Sequence, residues 1–177
     1  MTDLITRARE FAITAHESIG QKRKYSDDPY WVHPERVAAM VADFGGTPEM
    51  VAAAWLHDTV EDTPVTIEEI EAEFGSEVMA LVDDLTDVSQ PEDGNRAFRK
   101  AMDRDHTAQA SADAQTVKLC DLIDNTASIV EHDVKFARVY LREKKLSLEV
   151  LTKGDKRLQT LAWGKLREGA KQIGLEL

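Results

Sequence analysis

Apolar positions recur at helical spacing along almost the whole chain. Leu4, Ala8, Phe11, Ala12 and Ala15 form one stripe, which predicts a helix over about residues 3–19. A polar loop covers residues 20–30. Pro34 can open a second helix at its first position, with Val37, Ala38 and Val41 facing inward and Gly45-Gly46 ending it. A third helix is predicted over residues 48–60. The capping-box pair Thr66 and Glu69 opens a short fourth, which stops near Phe74-Gly75. Ser76 can cap a fifth that carries Leu81, Val82 and Leu85. Residues 88–94 form a loop rich in Pro, Gly and Asp. Beyond it, helices are predicted over about residues 95–109, 111–129, 133–152 and 155–173, the last two divided by Gly154. No alternating strand pattern, internal repeat, low-complexity tract or linker interrupts the series. The pattern predicts an all-α bundle and a single domain over residues 1–177.

One stretch breaks the rule that buried helices are apolar. In Leu56-His57-Asp58-Thr59-Val60-Glu61-Asp62-Thr63, a histidine-aspartate doublet precedes a second acidic doublet by one helical turn. Residues four apart share a helix face, so Glu61 falls below His57 and Asp62 below Asp58. The neighbours Ala52, Ala53, Ala54, Trp55 and Leu56 read as core. Three carboxylates and an imidazole against such a core would repel one another and lose solvation without a compensating cation. A bound metal ion is the simplest compensation, and such sites commonly serve hydrolysis.

Two further segments offer ligands. His33 stands at the mouth of the second helix, and Asp121 lies in an apolar helix between Leu119 and Leu122. His33, His57, Asp58 and Asp121 make a two-imidazole, two-carboxylate set that suits manganese, iron, cobalt or zinc. Glu61 and Asp62 then exceed the charge balance, and their plausible task is to orient or deprotonate an attacking water and to handle the leaving group's proton. Gln21-Lys22-Arg23-Lys24-Tyr25 precedes His33. Beside a metal site, Arg23 and Lys24 can contact phosphate, and an arginine can stack on a base. Asn125, four residues after Asp121, can hydrogen-bond a sugar or base. His16, His106 and His132 read as structural histidines.

Composition narrows the partners. The net charge is −11 and the pI near 4.9, which argues against a nucleic-acid footprint. A small anionic nucleotide remains compatible, because a local basic pocket or metal can hold it against the global field. The single cysteine, Cys120, excludes an internal disulfide. The start Met1-Thr2-Asp3-Leu4 lacks the basic-then-apolar pattern of a signal peptide, and no apolar run approaches membrane-spanning length. The chain therefore reads as cytoplasmic, with no membrane partner. The pattern specifies no oligomeric state.

In order along the chain come Gly20-Gln21-Lys22-Arg23-Lys24-Tyr25-Ser26, Pro29-Tyr30, His33-Pro34 and Ala53-Ala54-Trp55-Leu56-His57-Asp58-Thr59-Val60-Glu61-Asp62-Thr63. Phe74-Gly75, Leu85-Thr86-Asp87 and Lys118-Leu119-Cys120-Asp121-Leu122-Ile123-Asp124-Asn125 continue the series. In this series the chain resembles the HD-domain hydrolases, and within them the (p)ppGpp hydrolase domain of Rel/SpoT proteins, over roughly residues 5–160. It looks like a stand-alone small alarmone hydrolase. The resemblance implies an all-helical HD-domain bundle with one manganese ion held by His33, His57, Asp58 and Asp121. It further implies water activation by Glu61 and Asp62, and nucleotide contacts from Arg23, Lys24 and Asn125. The implied reaction removes pyrophosphate from the nucleotide's 3′ position, returning ppGpp to GDP or pppGpp to GTP.

Three positions depart from the family's usual pattern. Asp27 replaces a glycine, Cys120 an alanine, and Asp124 a frequent histidine or tyrosine. Asp124 leaves base preference open between guanine and adenine alarmones. Two other readings stand beside the first: an HD phosphohydrolase of another nucleotide, and a non-catalytic nucleotide-binding module. The last predicts a lost ligand or acidic pair, and neither is lost.

Overall fold

Helix starts follow the capping chemistry written in the sequence. In the computed structural model, which describes residues 3–177, Asp3 caps α1 (Leu4–Ser18) by accepting from the Thr6 amide. Met1 and Thr2, on which the signal-peptide reading partly rests, lie outside the described residues. Thr47 caps α3 (Pro48–Leu56), whose first residue is proline, as helix N-termini favour. Between them lies α2 (Val32–Asp43). It begins two residues earlier than the position of Pro34 suggested. Pro34 is still tolerated, because an amide in the first turn has no intrahelical acceptor to lose.

The predicted third helix is two pieces. α3 stops at Leu56, His57 and Asp58 form a turn, and α4 (Thr59–Asp62) follows. Thr66 and Glu69 make both bonds of the predicted capping box for α5 (Ile67–Phe74). Gly75, at φ 87°, rather than Ser76, is the residue before α6 (Ser76–Leu85). That φ lies in the left-handed region where glycine carries no Cβ penalty.

A 3-10 turn at Pro91–Asp93 interrupts the predicted loop before α7 (Arg96–Gln109). α8 (Ala112–His132), α9 (Val134–Val150) and α10 (Lys156–Gln172) complete the series, their amide termini capped by Ser111, Asp133 and Asp155. No strand occurs among the described residues, and the all-α expectation holds. Nor is any helix among them long and apolar enough to cross a membrane.

The chain divides into two compact units, Met1–Thr86 and Asp87–Leu177. In the first, α3 is the centre: α1, α2 and α6 all pack on it, and every residue from Met50 to Leu56 is buried. A helix apolar on all sides is one surrounded on all sides. Ala8, Ala12, Ala52, Ala53 and Ala54 are fully buried, small enough for helix axes to approach closely. In the second unit, α8 packs against α9 and α10, and α7 against α9. Gly154 allows this. A Cβ there would stand 2.9 Å from Leu119 Cδ1 and 3.1 Å from the Gln115 carbonyl carbon.

Candidate active site

The turn between α3 and α4 aims two side chains at one point. His57 Nδ1 lies 2.8 Å from the Ala54 carbonyl oxygen, which only accepts, so the ring proton sits on Nδ1. Nε2 therefore carries a lone pair, and it faces Asp58 Oδ2 at 3.1 Å. His33, in the first turn of α2, brings its own Nε2 to 3.6 Å from the same oxygen. The two imidazoles meet edge to face, centroids 5.2 Å apart, and both are buried. Ligand atoms of His33, His57 and Asp58 all lie within 4.8 Å of one another.

Two buried imidazole nitrogens and a carboxylate oxygen turned toward one point call for a positive charge among them. One cation satisfies all three groups, so the residues fit a metal ion of the borderline type. Tyr30 donates its hydroxyl proton to Asp58 Oδ2 at 2.7 Å, which orients the carboxylate as outer partners of metal ligands do.

Asp62 stands one turn beyond Asp58. Its amide donates to the Asp58 carbonyl at 3.0 Å, the first bond of α4, which sets the four-residue spacing between the two carboxylates. Thr59 and Thr63 brace this turn through their hydroxyls, bonded to the Leu56 and Thr59 carbonyls. Glu61 and Asp62 are exposed on α4. Asp62 Oδ2 accepts from Gln21 Nε2 at 2.8 Å, and Gln21 Oε1 lies 2.6 Å from His16 Nδ1. The loop between α1 and α2 is pinned by antiparallel bonds, Arg23 N to Asp28 O and Tyr30 N to Gln21 O. It holds the Arg23 guanidinium 5.8 Å from the Tyr30 ring centroid, with Lys24 exposed beside Tyr25.

The remaining predicted residues lie in the second unit, on α8. Asp121 is buried, accepts from Asn125 Nδ2 at 2.6 Å and sits 3.3 Å from Lys118 Nζ. Both Asp121 and Asn125 line a cavity of about 320 Å³, together with Lys118, Tyr140 and Lys144. Lys144 is buried and donates to the Leu122 carbonyl at 2.8 Å and to Thr126 Oγ1. Burial pushes its pKa down to about 7, against the pull of Asp121. Burial also drives the Tyr140 hydroxyl above its ordinary range, reinforced by Asp121.

Three residues near the histidine cluster escaped the sequence reading. His16 reads as structural, Gln21 as part of a basic loop, and Tyr30 as a motif position without a role. A signal existed for His16. It follows Ala12 by four residues, on the buried stripe of α1. A fully buried histidine needs a partner, and the nearby polar loop is the place to seek it.

An all-helical unit with histidines and an aspartate converging on one point defines a metal-site fold of the HD type. Residues 8–120 match the HD domain family, and the chain belongs to that family. Its relatives specify more. It is 38% identical over 125 residues to the guanosine-3′,5′-bis(diphosphate) 3′-pyrophosphohydrolase MESH1 of Xenopus tropicalis, covering 69% of this chain and 67% of that one. It is 34% identical over 130 residues to the guanosine-3′,5′-bis(diphosphate) 3′-pyrophosphohydrolase of Aquifex aeolicus, covering 71% of this chain but only 18% of that longer protein. Among solved structures, a metazoan ortholog of SpoT that hydrolyses ppGpp superposes with a TM-score of 0.83 at 26% identity, covering 99% of this chain and 98% of its own.

Proposed function

We propose that this chain is a metal-dependent phosphohydrolase that removes pyrophosphate from the 3′ position of guanosine alarmones. It would return ppGpp to GDP and pppGpp to GTP. The observation that carries this reading is the convergence of His33, His57 and Asp58, with the acidic pair one turn on. The similarity to MESH1 over two thirds of that protein supports the substrate class. We take manganese as the ion, with Asp121 as the fourth ligand; the mixed imidazole and carboxylate donors support that choice. Such an ion supplies Lewis acidity at a phosphoryl oxygen and makes water a stronger acid.

The chain's own residues do the rest on this reading. Glu61 and Asp62 accept the proton of the attacking water as its oxygen bonds the 3′ phosphorus. They then return a proton to the 3′ oxygen as its bond to phosphorus breaks. Arg23 and Lys24 hold phosphate charge, which matters in a molecule of net charge −11. Asn125 reads the sugar or base. Residues 1–177 act as one phosphohydrolase domain, in the cytoplasm and without nucleic-acid or membrane partners. The acidic pI supports the absence of a nucleic-acid partner.

The test is pyrophosphate release from ppGpp by metal-stripped protein, with and without added Mn²⁺, beside the adenine analogue. Manganese-dependent turnover of ppGpp is the expected result. Turnover of the adenine compound alone would keep the chemistry and change the substrate. No turnover of either by metal-loaded protein would overturn the assignment.

A further inference from the structure

The roles above leave unused one chain of hydrogen bonds that runs from a buried histidine to an exposed carboxylate. His16 sits in the last turn of α1 and is fully buried. Its Nδ1 lies 2.6 Å from Gln21 Oε1, and Gln21 Nε2 donates to Asp62 Oδ2 at 2.8 Å. The direction of each bond is forced. An ionised carboxylate only accepts, so Gln21 must turn its NH₂ toward Asp62 and its carbonyl oxygen toward His16. His16 must then carry its proton on Nδ1. Burial holds the imidazole pKa below its ordinary value, which agrees with a neutral ring.

The backbone repeats the same connections. Gln21 N donates to the His16 carbonyl at 3.1 Å, and Tyr30 N to the Gln21 carbonyl at 3.1 Å. The Tyr30 ring packs 4.8 Å from the His16 ring, while its hydroxyl holds Asp58. Asp62, by contrast, is exposed at the end of a four-residue helix. Nothing in so short an element fixes its rotamer. The Gln21 amide does so, and the buried imidazole fixes the amide.

We propose that His16 is a positioning residue that acts through Gln21 to hold the Asp62 carboxylate with Oδ2 engaged, leaving Oδ1 for the reacting groups. This rests on the reading of Asp62 as part of the proton-handling pair. A purely structural role for the chain would affect folding of the loop. A positioning role affects turnover in a folded protein.

Gln21→Met keeps the side chain's length and removes both bonds. Because Gln21 is only partly buried, this variant is the primary test. It should lower kcat by about 10- to 100-fold, the scale of a misplaced catalytic group. KM, bound Mn²⁺ and melting temperature should stay near the wild-type values. His16→Phe should lose as much, and His16→Asn, whose Nδ2–H can replace the Nδ1–H donor, should recover most of it. The double variant His16→Phe/Gln21→Met should lose no more than either alone, as expected for one coupled unit. Independently of activity, ¹⁵N NMR of the metal-free protein should show His16 as the Nδ1–H tautomer. Wild-type kcat in Gln21→Met, or an Nε2–H tautomer, would overturn the proposal. Wild-type protein without ppGpp turnover would instead overturn the function proposed above, and the tautomer would still decide whether the chain exists.

Discussion

Asp58 Oδ2 has the Tyr30 hydroxyl and the Nε2 atoms of His33 and His57 all within 3.6 Å. Glu61 lies on α4, and its substitution separates binding from chemistry. Glu61→Gln should leave the metal bound and lower kcat by about 10²- to 10⁴-fold if the carboxylate is a general base. Near-normal turnover would reassign the role. Lys144 offers a second test, of pH dependence. Its folded pKa, about 7, lies far below its ordinary 10.5. Between those values the unfolded chain holds a proton that the folded chain has released, so this residue makes stability rise with pH across that window. Below pH 7 both forms are protonated and the full burial penalty applies. Lys144→Met should therefore be at least as stable as wild type at pH 6 in urea unfolding, and should lose the alkaline gain. A variant destabilised equally at pH 6 and pH 9.5 would refute the sign.

His33, His57 and Asp58 were legible because the histidine-aspartate doublet interrupts an apolar helix one turn before a second acidic doublet, and His33 opens the helix before it. Tyr30, Gln21 and His16 were not. Their roles depend on the path of the loop over residues 20–31, and a polar loop carries no periodicity from which to read a path.

Capping explains why the helices themselves were easier to read. Asp3, Thr47, Asn95 and Ser111 each accept from the amide three residues on, a local bond the sequence displays directly. The Thr66–Glu69 box is the most complete, and Thr66→Ala should cost about 1 kcal/mol in denaturant unfolding. A loss under a few tenths would mean that α5 is held by packing alone. The break after Leu56 was illegible for an equally local reason. The apolar and polar positions keep helical spacing from residue 48 to residue 60, so the pattern reports one helix where the backbone turns at His57 and Asp58. What marks the end of α3 is His57, whose side chain takes the Ala54 carbonyl that helix continuation would have used. The candidate metal ligand and the helix stop are one residue.

For the molecule as a whole, metal and stability are linked. A ligand that binds only the folded chain stabilises it by about 2.7 kcal/mol at a hundred times its Kd. Mn²⁺ should therefore raise the melting temperature of metal-stripped protein. In Asp58→Ala, the shift should vanish together with bound metal and activity. Equal shifts in both proteins would remove Asp58 from the ligand set. The net charge of −11 makes this more than a technical point. Each added positive charge relieves self-repulsion in the folded state, so a non-specific cation effect must be separated by repeating the titration with Ca²⁺.

Cys120 is fully buried on α8 and is the only cysteine in the chain. Burial, with Asp121 and Asp155 adding to it, pushes its thiol pKa up to about 12. The thiolate that reacts with alkylating reagents is almost absent while the second unit stays closed. Labelling must wait for α8 to open, so its rate reports how often that happens. The wild-type chain thus contains its own clock for local opening. With one thiol per molecule, every modification event can be assigned without engineering a probe.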